Sequence, residues 1–362
     1  MNIVESTQAY DRWLQQRLGV IVKGDLKVKH QRMAEDPFSF LRATFYRWAQ
    51  IWPQVCPHLV AAPSLLGVGD LHVENFGTWR DGEGRLIWGI NDFDEAATVP
   101  YTNDLVRLCT SAVIAIGEAR LGTSARRACE AVLEGYEESL REGGQPIVLA
   151  ERNRWLRDLA LGRLKEQRGY WDKLLALKPP ARQPNRSVRR LLQGTVPDSR
   201  LPFRVVHRQA GLGSLGRQRF TVLAHWRGGM VAREAKPLTT SAWYWLQSKA
   251  PQAVQYAQIC DRAVRVADPF LHIREDWVLR RLAPDCSRVE LAALSGVQDE
   301  CKLLYMMGWE TANIHLGSPR QRKAILNDLK KRKGEWLSAA ARSMREATLG
   351  DWRAWRTRRV KK

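Results

Sequence analysis

Two short acid-rich segments carry the oxygen-bearing side chains that could do chemistry. In Gly69-Asp70-Leu71-His72-Val73-Glu74-Asn75, an Asp precedes an Asn by five positions. One tight turn can then present a carboxylate that accepts a hydroxyl proton and an amide oxygen that binds Mg²⁺. An Asx-turn, in which these side chains serve their own backbone, is the competing account. The second segment, Ile90-Asn91-Asp92-Phe93-Asp94, ends an apolar run on two carboxylates. That placement is costly unless the acids meet cations or donors. Asp92 suits Mg²⁺, which is often held by one or two carboxylates plus phosphates; pairing with arginine is the alternative.

A third segment, Gly211-Leu212-Gly213-Ser214-Leu215-Gly216, has the Gly-x-Gly-x-x-Gly spacing. A dinucleotide site needs a helix directly after it. Here the β-favouring run Arg219–Leu223 follows, which fits a strand–glycine loop–strand cover over ATP phosphates, a flexible lid above the acids. A cation is then expected on the third strand. Arg233 fits a short hairpin better by position. Lys236 has the expected chemistry but would point to the other strand face under period-two alternation. Both stay open, with a lean to Arg233.

Elements to position these groups can be read along the chain. Residues 8–18 and 37–52 look helical, Asp36 and Pro37 being a cap and a first helical residue. Leu65–Val68 and Leu86–Ile90 read as strands, the second after the turn signal Asp81-Gly82-Glu83-Gly84. Helices are expected over Asn103–Leu121 and Ser124–Arg141, a basic helical stretch over 151–178, and a proline-punctuated linker over 179–202. Phe203–His207, Arg219–Leu223 and Met230–Ala232 argue for a three-stranded antiparallel meander. The chain becomes helical again after Trp243. Val278–Leu282 reads as a connecting strand, Asp299–His315 as a helix and 319–362 as basic and helical.

The 362 residues carry 58 Lys+Arg and 38 Asp+Glu, a net charge of +20, with 44% hydrophobic residues. This excludes a disordered or collagen-like chain. Of that charge, +8 lies in 151–200 and +11 in 319–362. Those segments could attract an anionic partner, nucleic acid included, or could be solvated helix faces. No run approaches ~18 apolar residues, so no membrane span is expected. With no secretory signal and six scattered cysteines, a cytoplasmic protein with reduced thiols is expected.

Gly69-Asp70-Leu71-His72-x-x-Asn75 with Ile90-x-Asp92-Phe93 resembles the aminoglycoside phosphotransferase and choline kinase branch of the protein-kinase-like fold. More specifically, residues 30–316 resemble the bacterial family called domain of unknown function 2252. The similarity lies in Asp36–Arg42, Gly69–Gly77, Asn91–Glu95, Asn103–Leu108, Gly211–Gly216 and Arg233–Ala235. The resemblance implies an α+β, two-lobed kinase-like fold. The acid motifs precede the glycine loop, so it would be circularly permuted. Residues 1–150 would form the catalytic part and 151–202 a bridge. Residues 203–285 would form the glycine-loop sheet and hinge, and 286–362 a helical part with a basic tail.

It further implies Mg²⁺- and ATP-dependent phosphoryl transfer to a hydroxyl on an unidentified small molecule or protein. Asp70 would be the catalytic base, and Asn75 and Asp92 metal ligands with Asp94 auxiliary. Gly211, Gly213, Ser214 and Gly216 would cover the phosphates, and Arg280, Arg281 and Leu282 would form the hinge beside adenine. Asp104 would brace the Asp70 loop, as His72 would from within it; Arg42 would reach an anion or form a salt bridge. Gln218 stands where this pattern has Val, and Gln258 where it has the Glu that pairs with the strand cation. A nucleotide-binding protein without kinase activity, an AMP transferase, and a basic polyanion-binding protein are the alternatives.

Overall fold

The computed structural model describes residues 1–119, 122–149, 153–162, 167–246, 253–286, 294 and 297–360. Asn2 accepts hydrogen bonds from the Val4 and Glu5 amides, and Glu5 accepts one from the Asn2 amide. This reciprocal cap starts α1 (Ile3–Leu18) five residues before the helix expected from the sequence. Next come α2 (Lys23–Arg32), α3 (Pro37–Ala43) and α4 (Phe45–Val55). Asp36 caps α3 as expected, but the single helix expected over 37–52 breaks at Thr44, whose hydroxyl donates to the Phe40 carbonyl.

The acid motifs sit on two small sheets. Strand β1 (Ser64–Gly67) leads into the first, β2 (Phe76–Arg80) and β3 (Leu86–Ile90) flank the hairpin, and β4 (Ala97–Pro100) follows the second. Strands β1 and β4 pair antiparallel, and the hairpin is extended by β5 (Ile147–Val148) after the long helices α5 (Tyr101–Ala119) and α6 (Ala125–Glu142).

Two short helices, α7 (Arg154–Gly162) and α8 (Gln167–Leu175), precede α9 (Arg186–Gln193). The linker expected over 179–202 therefore contains a helix. Asn185 caps it, and Val188 and Leu192 bury against Val205, Val222 and Leu279. The flanking prolines conceal eight residues with strong helical amphipathicity.

The expected meander is the first part of a larger sheet. Strands β6 (Arg204–His207), β7 (Phe220–Trp226) and β8 (Gly229–Pro237) pair in order. After the short α10 (Tyr256–Arg262), β9 (His272–Arg274) and β10 (Trp277–Leu282) complete it, in the order β6-β7-β8-β10-β9. Val278–Leu282 thus pairs fully with β8 instead of merely connecting elements. The renewed helicity expected after Trp243 is confined, among the described residues, to a turn at Ala242–Tyr244 and to α10.

The chain closes with α11 (Val297–His315), α12 (Arg322–Lys331) and α13 (Trp336–Val360). Helices α6 and α11 cross with their backbones in contact. A Cβ on Gly135 would lie 2.0 Å from the Tyr305 carbonyl oxygen, and one on Gly308 2.0 Å from that of Val132. The basic C-terminal segment is a docked helix: Leu337, Ala341 and Met344 of α13 enter the main core, and Asp351 pairs with Arg47 of α4. The structure is thus mixed α+β with several sheets, and no described helix is long and apolar enough to cross a membrane.

Candidate functional site

The Asp70 loop leaves β1 through Gly69, which has φ +77° and whose added Cβ would lie 2.2 Å from the Glu95 carbonyl oxygen. Only glycine fits there. The loop hangs on Asp104 of α5, fully buried, whose carboxylate accepts from the Val68 amide at 2.6 Å and the Gly69 amide at 3.0 Å. His315 Nε2, at the end of α11, lies 3.1 Å from the same carboxylate, and Tyr136 OH of α6 lies 2.8 Å from His315 Nδ1. Three helices thereby fix one turn.

Asp70 Oδ1 accepts from Arg107 Nε at 2.9 Å and also from Arg107 Nη2. Arg107 is fully buried, its guanidinium over the Phe45 and Trp48 rings at 5.0 and 4.9 Å. Burial pushes the Asp70 carboxyl above its ordinary range, with Arg107 opposing. Asn75 Nδ2 donates to the Asp92 carbonyl at 3.0 Å, and Asn75 Oδ1 is buried without a hydrogen-bond partner. His72 Nδ1 accepts from the Glu74 amide at 3.2 Å, and Arg42 pairs with Glu74 at 2.6 Å.

Asp92 and Asp94 follow β3. Lys236 Nζ lies 2.5 Å from Asp94 Oδ2 and 3.4 Å from both Asp92 oxygens. Burial alone would raise Asp92, but Lys236, Arg280 and a hydrogen bond from Asp94 hold it well below the usual carboxylate range. Asp94 goes the other way, raised by burial and by the negative charge of Asp92. Arg217 reaches Asp94 at 3.5 Å and Glu95 at 3.2 Å.

Between the two strand-cation candidates, the structure brings Lys236 to the acids. Alternation along β8 points Glu234 and Lys236 one way and Arg233 the other. Arg233 donates to the Thr195 carbonyl at 2.8 Å, beyond the end of α9. The lean to Arg233 rested on loop length, whereas strand face decides which side chain arrives.

The glycine segment joins β6 to β7 through a tight turn at Leu212–Ser214, with positive φ at Gly211 and Gly216. A Cβ on Gly213 would lie 3.6 Å from Asp70 Oδ2, so this segment roofs the Asp70 carboxylate. It is anchored, contrary to the flexible lid expected. Leu212 and Leu215 are buried with Ile3, Met33 and Phe40. The Val22 amide donates to the Gly216 carbonyl at 2.8 Å, and Lys29 Nζ to that of Gly213 at 3.0 Å.

Asp70, Asn75, Asp92, Asp94, Arg217 and the Gly211–Ser214 turn line one cavity of about 760 Å³, which also takes in Arg280, Arg281 and Leu282 of β10; Lys236 adjoins it through its ion pairs with Asp92 and Asp94. Among the described residues, no group of three His, Cys, Asp or Glu is arranged to hold a metal. The donors present are Asp92, the partnerless Asn75 Oδ1 and the equally partnerless, buried Asp94 Oδ1. An all-oxygen set with two carboxylates and one amide fits Mg²⁺ completed by phosphate and water oxygens. Arg107 and Glu234 lie within the stretches Asn103–Leu108 and Arg233–Ala235 noted above, where nothing assigns them a role, and Lys29 and Arg219 join the site with no motif at all. The four come from α5, α2 and the large sheet, and only the tertiary fold gathers them.

No curated protein and no solved structure matches the chain. Over residues 21–175 it is similar to a family described as an uncharacterised protein conserved in bacteria, domain of unknown function 2252; that stretch carries the Asp70 and Asp92 motifs and ends before the glycine loop.

Proposed function

We propose that this protein is a Mg²⁺-dependent ATP phosphotransferase acting on a hydroxyl acceptor, on a kinase-like fold whose order is circularly permuted. One observation carries the reading: the glycine segment, Asp70, Asn75 and Asp92 line one cavity, with Lys236 paired to Asp92 and Asp94, although about 120 to 140 residues separate the acids from the glycine segment. The permutation is supported by α11, which in circular order precedes the Asp70 loop and reaches it through His315 and Asp104.

Asp70 would orient the acceptor hydroxyl through Oδ2 and take its proton, with Arg107 fixing the carboxylate through Oδ1. Asp92 and Asn75 would hold Mg²⁺, with Asp94 beside them. The bound ion would neutralise charge on the phosphates. Lys236 would follow that charge from the acids to a phosphate oxygen, and the anchored glycine loop would supply backbone N–H groups from above.

The test is Mg²⁺-dependent ATP turnover and Mg²⁺–ATP binding by the wild type, Asp70→Asn and Asp92→Asn. Asp70→Asn should lose turnover and keep binding; Asp92→Asn should lose the Mg²⁺ dependence of binding. Wild-type protein that binds no nucleotide in the presence of Mg²⁺ would end the proposal.

A second reading has its own observation. Helix α10 carries Gln258, turned to Arg262, where a kinase has the Glu for its strand cation, and Lys236 pairs with Asp92 and Asp94. That arrangement favours nucleotide binding without phosphoryl transfer, or transfer of AMP. The mass added to an incubated target separates the cases.

A further inference from the structure

The cavity has a second charged centre. Glu234 of β8 is 1% exposed and meets three guanidiniums. Arg208 Nη1 donates to its Oε2 at 2.9 Å, Arg280 Nη2 to its Oε1 at 3.3 Å, and Arg219 Nη1 to the same Oε1. Arg219 Nη2 also donates to Ser214 Oγ at 2.9 Å, tying the cluster to the glycine loop.

Three guanidiniums against one carboxylate leave two positive charges that Glu234 does not neutralise. Burial would raise Glu234, yet Arg219, Arg208 and Arg280 hold it far below the ordinary range, so it stays ionised. Burying charge in excess of its partners is costly. Asp92 and Asp94 are the next carboxylates within electrostatic reach, and Lys236 pairs with both. Arg208 and Arg280, with side chains 29% and 28% exposed, line the cavity, and neither spends all its guanidinium donors on Glu234. The sheet face that would meet a flat base in a kinase-like site carries Glu234 and Arg280. A guanidinium fork matches two phosphate oxygens at once.

We propose that Arg208, Arg219 and Arg280, gathered on Glu234, form a subsite for a chain of two or more phosphates, so that the ligand is selected by its polyphosphate more than by its base. The assignment of that chain to the donor rests on the phosphotransferase reading; the anion subsite does not. The phosphates could belong to a donor's tail or, singly, to a phosphorylated acceptor, and the probes below separate these.

The experiment measures binding of inorganic tripolyphosphate, ATP, adenosine and inorganic phosphate to the full chain by calorimetry, with and without Mg²⁺. Tripolyphosphate should bind within about tenfold of ATP, and adenosine at least about a hundredfold more weakly. Arg208→Gln and Arg280→Gln should each weaken tripolyphosphate by about tenfold or more. Arg208 lies just beyond β6 whereas Arg280 is paired within β10, so the Arg208 variant keeps the test open if Arg280→Gln fails to fold. Adenosine binding like ATP, or both variants binding tripolyphosphate like wild type, overturns the subsite. Inorganic phosphate binding as tightly as tripolyphosphate overturns the chain of phosphates and assigns the arginines to a monophosphate. Arginine-dependent tripolyphosphate binding in a protein whose Asp70→Asn variant changes no turnover would remove the phosphotransferase reading and leave the subsite standing.

Discussion

Asp104 offers the sharpest test of how the Asp70 loop is held. Its carboxylate is fully buried and accepts four hydrogen bonds, from the Val68 and Gly69 amides, the Asn103 side chain and His315 Nε2. Asp104→Ala leaves all four donors buried without an acceptor, at about 1–3 kcal/mol each before relaxation. Even at the low end the loss is about 4 kcal/mol, a large share of the roughly 5–15 kcal/mol that stabilises a domain. Asp104→Asn keeps the volume and one acceptor oxygen but turns an N–H toward donors, so about 2 kcal/mol is expected. Urea denaturation at neutral pH measures both. Limited proteolysis then asks whether the chain near Gly69 becomes cleavable, as a freed loop would. A loss under about 1 kcal/mol for Asp104→Ala would refute the idea that this carboxylate carries the loop.

Other outcomes follow from single contacts. Glu310 is pushed up to about 7, mainly by burial, against the Asn313 side chain, Arg265 and the Ile90 amide. The folded state then keeps a proton that the unfolded chain releases above its ordinary value of 4.5. Stability should fall as pH rises between those values, by ~3 kcal/mol from this group; Glu310→Gln should flatten that fall, and denaturation midpoints at pH 5 and 8 that move alike in both proteins would contradict it. Leu215→Ala should cost about 2–5 kcal/mol and expose the glycine segment to protease, since Leu215 packs with Met33 and Phe40. Gly308→Ala should cost about 3 kcal/mol or more because the new methyl meets the Val132 carbonyl, while Gly82→Ala, with open space around it, should change stability by less than about 0.5 kcal/mol.

The parts of the site that were legible in the sequence are local. Asp70 and Asn75 share one turn, and Asp92 and Asp94 end one strand, so spacing alone brings each pair together. Strand, glycine loop and strand also lie in one continuous segment. The roles of Arg107, Lys29 and Glu234 were not legible: Arg107 and Glu234 lie within stretches of family resemblance, but only burial against Trp48, Tyr46 and Arg219 separates these three from surface charges. The choice between Arg233 and Lys236 turned on which face of β8 each occupies, and period-two alternation described that correctly while loop length misdirected the lean. Helix α9 was not legible because proline marks both its flanks, and those marks dominate a short window.

The crossing of α6 and α11 has a mechanical consequence. Where Gly135 and Gly308 bring two main chains into direct touch, no side chain stands between them to change rotamer and absorb a displacement. The floor beneath Asp70 therefore behaves as a single slab. Amide exchange should be slowest along that glycine seam.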